Sequence, residues 1–355
     1  VSAVTQKLKV GVLGASGYTG ADLVRLLLCH PAAHIAFLTG ERKAGQDMAQ
    51  VFPNFHGATL PTLISIDDID WPSIDVDVVF CALPHATSQR VIQMIWDHSS
   101  SIKVIDLSAD FRLRDTDVYA QWYGGEHLAP ALQPEAVYGL PEIYGGAIKK
   151  GRLIACPGCY PTAALLALVP LLKAQAIASD CIIIDAKSGV TGAGRSLKEQ
   201  NLFCEVSEAM HPYGLGHHRH MPEIEQELSL AAGTNVTISF TPHLVPMNRG
   251  ELETIYVKLA DGQTPQQLKD CLAQAYQSSP FVHTLPDATA PATRMVRGSN
   301  QCVLNVFADR RPGHAIVVAA IDNLVKGSSG QAIQNMNVMF GLAETSGLEQ
   351  VALFP

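Results

Sequence analysis

The first third of the chain alternates short apolar runs with stretches of helical spacing. KVGVLG (9–14), HIAFL (34–38), VDVVFCAL (76–83) and IKVIDL (102–107) read as strands, while Ala21–Leu28 and Ala86–Ile95 repeat apolar residues at the helical period. Strands that are apolar on both faces and separated by helices predict a parallel sheet covered on both sides. Between Phe111 and Gly151 the period dissolves into Tyr, Gly, Pro and His, as in QWYGGEH and YGLPEIYGG. This predicts a long connection toward a second unit, with the boundary near residue 155.

Beyond Thr237 the pattern changes character. TISFTPHLV and ELETIYVKLA alternate in part, with Ile255, Val257 and Leu259 on one face and Thr254, Tyr256 and Lys258 on the other. CVLNVFADRR and HAIVVAAIDN follow across a short turn at Pro312–Gly313, so the second sheet is expected to be mostly antiparallel. Pro265–Gln277 and Ser328–Phe340 read as helices, and no internal repeat or low-complexity tract interrupts the chain.

Composition narrows the function classes. The 355 residues have room for about two domains, and a formal net charge of −8 with 16% charged residues argues against a basic nucleic-acid surface. Apolar runs such as Ala163–Val169 fall well short of the roughly 18–20 residues that span a bilayer, so no membrane association is expected. VSAVTQKLKVGVLG lacks the charged start and apolar core of a secretory signal, which makes the cytoplasm the expected compartment. The eight cysteines are scattered through apolar segments, as reduced core thiols are.

GASGYTG (14–20) follows a strand and opens a helix. Glycines there permit a tight turn and bring backbone N–H groups close to a pyrophosphate, so Gly14, Ser16, Gly17, Tyr18, Thr19 and Gly20 are candidate dinucleotide contacts. The spacing Gly11-x-x-Gly14-x-x-Gly17 departs from G-x-G-x-x-G, and the motif alone also fits a plain glycine turn. After the second strand come Glu41, Arg42 and Lys43: the acid suits the ribose hydroxyl of NAD, and the two cations suit the 2′-phosphate of NADP, which is favoured.

CPGCYPT places Cys159 just ahead of Pro161, a residue that favours the first turn of a helix. A thiol at a helix N-terminus has its pKa lowered, so Cys159 is a candidate nucleophile; with Cys156 it also forms a C-x-x-C that fits a redox pair or two structural cysteines. HPYGLGHHRHMPEIEQEL (211–228) gathers His211, His217, His218 and His220 beside Arg219 and Glu223. Histidine is the side chain suited to proton transfer near neutral pH, and a cluster of four also fits a metal, although no H-E-x-x-H pattern accompanies it and no metal site is expected.

Taken in order, GASGYTG, SADFRL (108–113), YGLPE (138–142), PGCYPT (157–162), SGVTGAGR (188–195), HRHMPEI (218–224) and DNLVKG (322–327) resemble the N-acetyl-gamma-glutamyl-phosphate reductase family of arginine biosynthesis. The resemblance implies an α/β protein of the semialdehyde dehydrogenase superfamily. Residues 1–155 with 325–355 would form a Rossmann-type NADP domain. Residues 156–324 would form an α+β catalytic and oligomerisation domain with a mostly antiparallel sheet, assembling as a dimer or tetramer. It implies that Cys159 is the nucleophile and that His218 or His220 moves the proton. Gly189 would lie near the nicotinamide, Asn323 would reach its carboxamide, and Pro84 and His85 would sit at the cofactor end of a strand.

Substrate carboxylate and phosphate would be held by Arg112, Arg195 and Ser108, the arginines having ordinary surface or structural ion pairs as the competing role. The implied reaction is NADPH-dependent reduction of an acyl phosphate through a cysteine thioester. Two other readings remain: the lysine-pathway paralogue, which acts on an aminoadipyl phosphate held by a small acidic carrier protein, and a nucleotide sensor that has lost catalysis.

Overall fold

The computed structural model describes residues 7–354. Residues 1–6, which begin the stretch expected to lack a secretory signal, and residue 355 lie outside the described residues. The chain divides into two compact units, Val1–Pro157 with Ser328–Glu349, and Gly158–Gly327 with Gln350–Pro355.

The first unit is built on seven strands: β1 (Leu8–Leu13), β2 (Ala33–Thr39), β3 (Leu63–Ile64), β4 (Val78–Cys81), β5 (Lys103–Asp106), β6 (Ala136–Tyr138) and β7 (Leu153–Ala155). They lie in the order β3-β2-β1-β4-β5-β7-β6 and every pairing is parallel. Val78, Val79, Phe80 and Cys81 are all fully buried, so apolar residues serve both faces of β4 and the strand reads as an unbroken run. The chain leaves β1 toward β2 on one side and takes up β4 on the other. Ligands of such sheets sit at this reversal, beyond the carboxyl ends of the strands.

The segment 111–151 is not the bare connection its composition suggests. It carries a helix at Thr116–Tyr123, the strand β6 and a helix at Pro141–Ile148, and with β7 it extends the same sheet. Each of these elements has eight residues or fewer, too few to establish a period. Their punctuation is nevertheless orthodox: the Asp115 side chain accepts from the Asp117 and Val118 N–H groups, Gly124 closes the helix at φ +77°, and Pro141 opens the next.

The second unit has its own sheet: β8 (Ile177–Gly189), β9 (His211–Pro212), β10 (Ser239–Val245), β11 (Glu251–Leu259), β12 (Val282–Thr284), β13 (Cys302–Ala308) and β14 (His314–Ile321). In the order β12-β13-β14-β11-β8-β10-β9, the pairs β10–β8 and β12–β13 are parallel and the others antiparallel. The helix Cys159–Lys173 packs across β8, β11 and β14, flanked by helices His220–Ala232 and Pro265–Ala275. Ile255 and Val257 face this core and Tyr256 and Lys258 face outward. The buried face also continues back through Glu253 and Glu251, which alternation places beneath the helix with no exposed surface.

Ser328–Phe340 forms a helix over Gly330–Met339, preceded by a wide turn at Val325–Ser329. The helix packs on Pro141–Ile148, Tyr18–Leu28 and β5 within the first unit. Among the described residues no helix is long and apolar enough to cross a membrane.

Candidate active site

The turn after β1 is shaped by two glycines. Gly14 adopts φ +79°, and a Cβ on it would lie 2.3 Å from the Ala82 carbonyl oxygen at the end of β4. A Cβ on Gly20 would lie 2.3 Å from the Gly14 carbonyl oxygen, so the helix Tyr18–Leu28 starts tight against the turn. Gly17 is the N-cap and has no side chain to cap the first turn. Backbone N–H groups and the positive end of the helix dipole therefore face the sheet's reversal point, as a pyrophosphate requires. Ser16 and Thr19 flank this cradle.

Glu41 does not take the role an NAD enzyme gives its acidic residue. Its carboxylate accepts from the Ser65 hydroxyl at 2.8 Å and the Ile66 N–H at 2.9 Å, which commits both oxygens to the turn after β3. Arg42 is exposed and Lys43 half-buried, and among the described residues neither is ion-paired. The end of β2 thus offers two cations and no available carboxylate, the pattern that suits a 2′-phosphate.

At the carboxyl end of β4, Pro84 and His85 are exposed, and His85 Nδ1 accepts the Ala109 N–H. Ser108 and Arg112, expected on the substrate, are anchored to the ends of the neighbouring strands. The Ser108 hydroxyl donates to Asp106 Oδ2 at 2.8 Å and accepts the Asp110 N–H at 3.1 Å, while the residue is only 2% exposed. Buried Arg112 donates from Nε to the Cys156 carbonyl at 2.7 Å and from Nη2 to the Leu107 carbonyl at 3.1 Å. These two donors tie the guanidinium to the ends of β5 and β7.

In the second unit, Cys159 is the first residue of its helix, with Gly158 as N-cap. The Gly158 N–H is taken by the buried Glu223 carboxylate at 2.9 Å, which fixes the turn before Cys159 to the start of helix His220–Ala232. Cys156 is a different kind of thiol: burial pushes it up to about 12, and Asn335 donates to its sulfur. It is held protonated, so the C-x-x-C spacing does not supply a second reactive thiolate.

His218 and His220 come together, with ring centroids 4.8 Å apart, and both rings meet the edge or face of Tyr160. Tyr213 and Phe240 complete the surroundings of His218. Burial and the neighbouring Arg219 lower the His218 pKa to about 4. His218 Nδ1 accepts the His220 backbone N–H at 3.1 Å, so the neutral ring carries its proton on Nε2. Among the described residues no group of His, Cys, Asp and Glu is placed to hold a metal.

Gly189 lies against the backbone of Met247 and Asn248 at distances a Cβ would fill. Asn323 accepts the Gly250 N–H through Oδ1 and donates through Nδ2 to Thr191, so it holds the Gly189 loop in place. Arg195 is exposed beyond Gly194. The sequence reading passed over Tyr160, Tyr213 and the pair Glu251 and Glu253. For the pair, strict alternation from Ile255 backward is the signal that places them on the buried face.

The family models match both units: a semialdehyde dehydrogenase NAD binding domain over residues 9–151 and a semialdehyde dehydrogenase dimerisation domain over 159–323. N-acetyl-gamma-glutamyl-phosphate reductase of Afipia carboxidovorans is 59% identical over 99% of each chain. The Rhodospirillum rubrum protein of that name is 55% identical over 99% of this chain and 100% of its own. A probable chloroplastic reductase of Arabidopsis thaliana is 53% identical over 98% of this chain and 86% of its own. Aspartate semialdehyde dehydrogenase II of Vibrio cholerae shares the fold, with a TM-score of 0.73 at 16% identity over 95% of this chain and 99% of its own. The chain belongs to the N-acetyl-gamma-glutamyl-phosphate reductase family, and its two units are the NAD binding and dimerisation domains of the semialdehyde dehydrogenases.

Proposed function

We propose that this chain reduces N-acetyl-L-glutamyl 5-phosphate to N-acetyl-L-glutamate 5-semialdehyde and phosphate with NADPH, the third step of arginine biosynthesis. The observation that carries the reading is Cys159 at the head of its helix, tied through Gly158 to the turn that bears His218 and His220. The 52–59% identity to reductases of that name favours it over a carrier-dependent paralogue or a sensor.

Residues 1–155 with 325–355 hold the dinucleotide and residues 156–324 carry the chemistry. Gly14, Ser16, Gly17, Tyr18, Thr19 and Gly20 cradle the pyrophosphate, Arg42 and Lys43 meet the 2′-phosphate, Pro84 and His85 serve the dinucleotide at the carboxyl end of β4, and Gly189 and Asn323 serve the nicotinamide. When bound, NADPH supplies the hydride.

The Cys159 thiolate attacks the acyl carbonyl and expels phosphate, leaving a thioester on the enzyme. This covalent step divides a difficult reduction into two easier ones. His218 or His220 donates an N–H hydrogen bond to the departing phosphate and to the thiohemiacetal oxyanion that follows hydride transfer, and solvent supplies the one proton that phosphate carries away. Collapse of that species breaks the C–S bond and frees the aldehyde. Arg112, Arg195 and Ser108 meet the substrate's anionic groups.

The protein works as a cytoplasmic homo-oligomer, a dimer or tetramer. Tyr256 and Ile183 support this, because they are register partners on β11 and β8 and both leave substantial apolar surface on the open face of the sheet.

The reverse reaction tests the assignment. NADPH formation is followed from N-acetylglutamate 5-semialdehyde, phosphate and NADP, with aspartate semialdehyde and NAD in parallel. Turnover confined to the acetylated substrate with NADP is expected; turnover with aspartate semialdehyde instead overturns the assignment.

A further inference from the structure

Ala86 adopts φ +65° and ψ −11°, the left-handed region, although it carries a Cβ and lies exposed. That conformation is costly for an L-residue, and such strain collects at ligand sites. Ala86 is the N-cap of the helix Thr87–His98 and directly follows Pro84 and His85 at the carboxyl end of β4. The same strand end meets the dinucleotide turn. A Cβ on Gly14 would strike the Ala82 carbonyl oxygen at 2.3 Å and lie 3.4 Å from the Leu83 side chain.

An N-cap residue ordinarily sits in extended backbone and satisfies the first turn with its own side-chain oxygen. Alanine has no such oxygen, and here the cap comes from Asp110, which has no exposed surface. Its Oδ1 accepts the Ala86 N–H at 2.8 Å and its Oδ2 the Gln89 N–H at 3.3 Å. The positive end of the helix dipole favours a carboxylate in that place. The Tyr119 hydroxyl also donates to Oδ1, at 2.8 Å, and the Tyr119 ring stacks on Tyr123, which meets the His85 ring edge-on at 5.4 Å. Ala109 donates its N–H to His85 Nδ1 at 3.2 Å. Ala109 and Asp110 therefore hold the turn at the backbone of Ala86 and at the ring of His85. Asp110 is itself fixed, its N–H donating to the Ser108 hydroxyl and its carbonyl accepting from His127 Nε2.

We propose that Asp110 is a positioning residue of the dinucleotide site, holding the left-handed turn at Ala86 so that Pro84 and His85 stand where the cofactor meets them. The proposal rests on the dinucleotide site described above and adds what keeps it in shape. Asp110 acts through the turn and does not touch the cofactor. Without its carboxylate, residue 86 relaxes to an extended N-cap, the chain enters the helix at another angle, and Pro84 and His85 leave the strand end. With it, the strain is met before the cofactor arrives and the turn needs no ordering on binding.

Equilibrium titration of the full chain with NADPH, followed by nicotinamide fluorescence, tests this without turnover. Asp110→Asn exchanges one acceptor oxygen for a donor and is expected to raise the NADPH Kd on the order of 10-fold, the scale of the left-handed cost. Glycine takes φ +65° freely, so adding Ala86→Gly to Asp110→Asn is expected to restore most of the lost affinity. Ala86→Val, on the exposed turn and outside the buried cluster, is expected to weaken binding to a similar extent, because a β-branched residue resists that conformation. Wild-type affinity in Asp110→Asn overturns the proposal. So does a double variant no tighter than Asp110→Asn, the result a merely structural Asp110 would give. If Asp110→Asn does not fold, Ala86→Val decides: unchanged affinity overturns the proposal and weakened affinity supports it. Wild-type protein that fails to bind NADPH overturns the dinucleotide site itself, a result distinct from these.

Discussion

Gly327 lies so close to Cys159 that a Cβ built on it would sit 2.7 Å from the Cβ of the cysteine and 3.2 Å from its Cα. The atoms it would strike are the root of the cysteine side chain and its backbone, which cannot swing aside. Gly327→Ala is therefore expected to cost about 1–3 kcal/mol through overpacking. Displacing the thiol lowers kcat on the order of 100-fold. Thermal unfolding and steady-state rates on the same preparation check both, and an unchanged kcat would show that Cys159 tolerates the shift.

Cofactor choice is expected to depend on Arg42 and Lys43 and not on Glu41. Replacing both cations with alanine removes charge-assisted contacts worth roughly 1.5–3 kcal/mol each. The KM for NADP should rise by about tenfold or more, with kcat and the weak use of NAD unchanged. Glu41→Ala loses the hydrogen bonds to Ser65 and Ile66 and should lower stability without altering the NADP to NAD ratio. A gain or loss of NAD activity in that variant would contradict the assignment.

The buried carboxyls set a direction for stability against pH. Unfolded, such groups titrate at the ordinary 4.5, whereas folded Glu251 titrates at about 8 and Glu253 well above its ordinary value. Below 4.5 both states hold the proton and the stabilising contribution is complete. Above it only the folded chain does, so stability falls as pH rises through about 8. Asp106, raised to about 7 by burial and Asp110, adds a fall of the same sign in the first unit. Denaturant midpoints taken across this range should decline less steeply in Glu253→Gln than in wild type, and equal slopes would remove Glu253 from the account.

His218 should remain a neutral imidazole at every pH above its value of about 4, with the proton on Nε2. Nuclear magnetic resonance of the ring nitrogens reads both facts directly. A midpoint near the ordinary 6.5 would mean that the aromatic surroundings do not desolvate the ring.

Much of this was visible in the sequence, for identifiable reasons. The central strands β1, β4 and β5 are buried on both faces along most of their length and stand out as apolar runs, and Pro161 marks the start of the helix that Cys159 opens. What stayed hidden depended on distant partners. Nothing local to Arg112 says that its acceptor is the carbonyl of Cys156, 44 residues away, or that Glu41 is spent on a turn 24 residues on. Glu251 and Glu253 were missed because a glutamate in an alternating strand reads as its wet face, although here the period assigns it to the dry one.

Those two glutamates also mark where this sequence gives up thermal robustness. A selection for heat resistance alone would be drawn to β11, because an apolar side chain of similar volume at either position relieves a buried ionisable group. At Glu253 such a change should harden the protein and leave a working enzyme. At Glu251 it should harden the protein in the same direction, so laboratory evolution for heat resistance would return repeatedly to this one strand face.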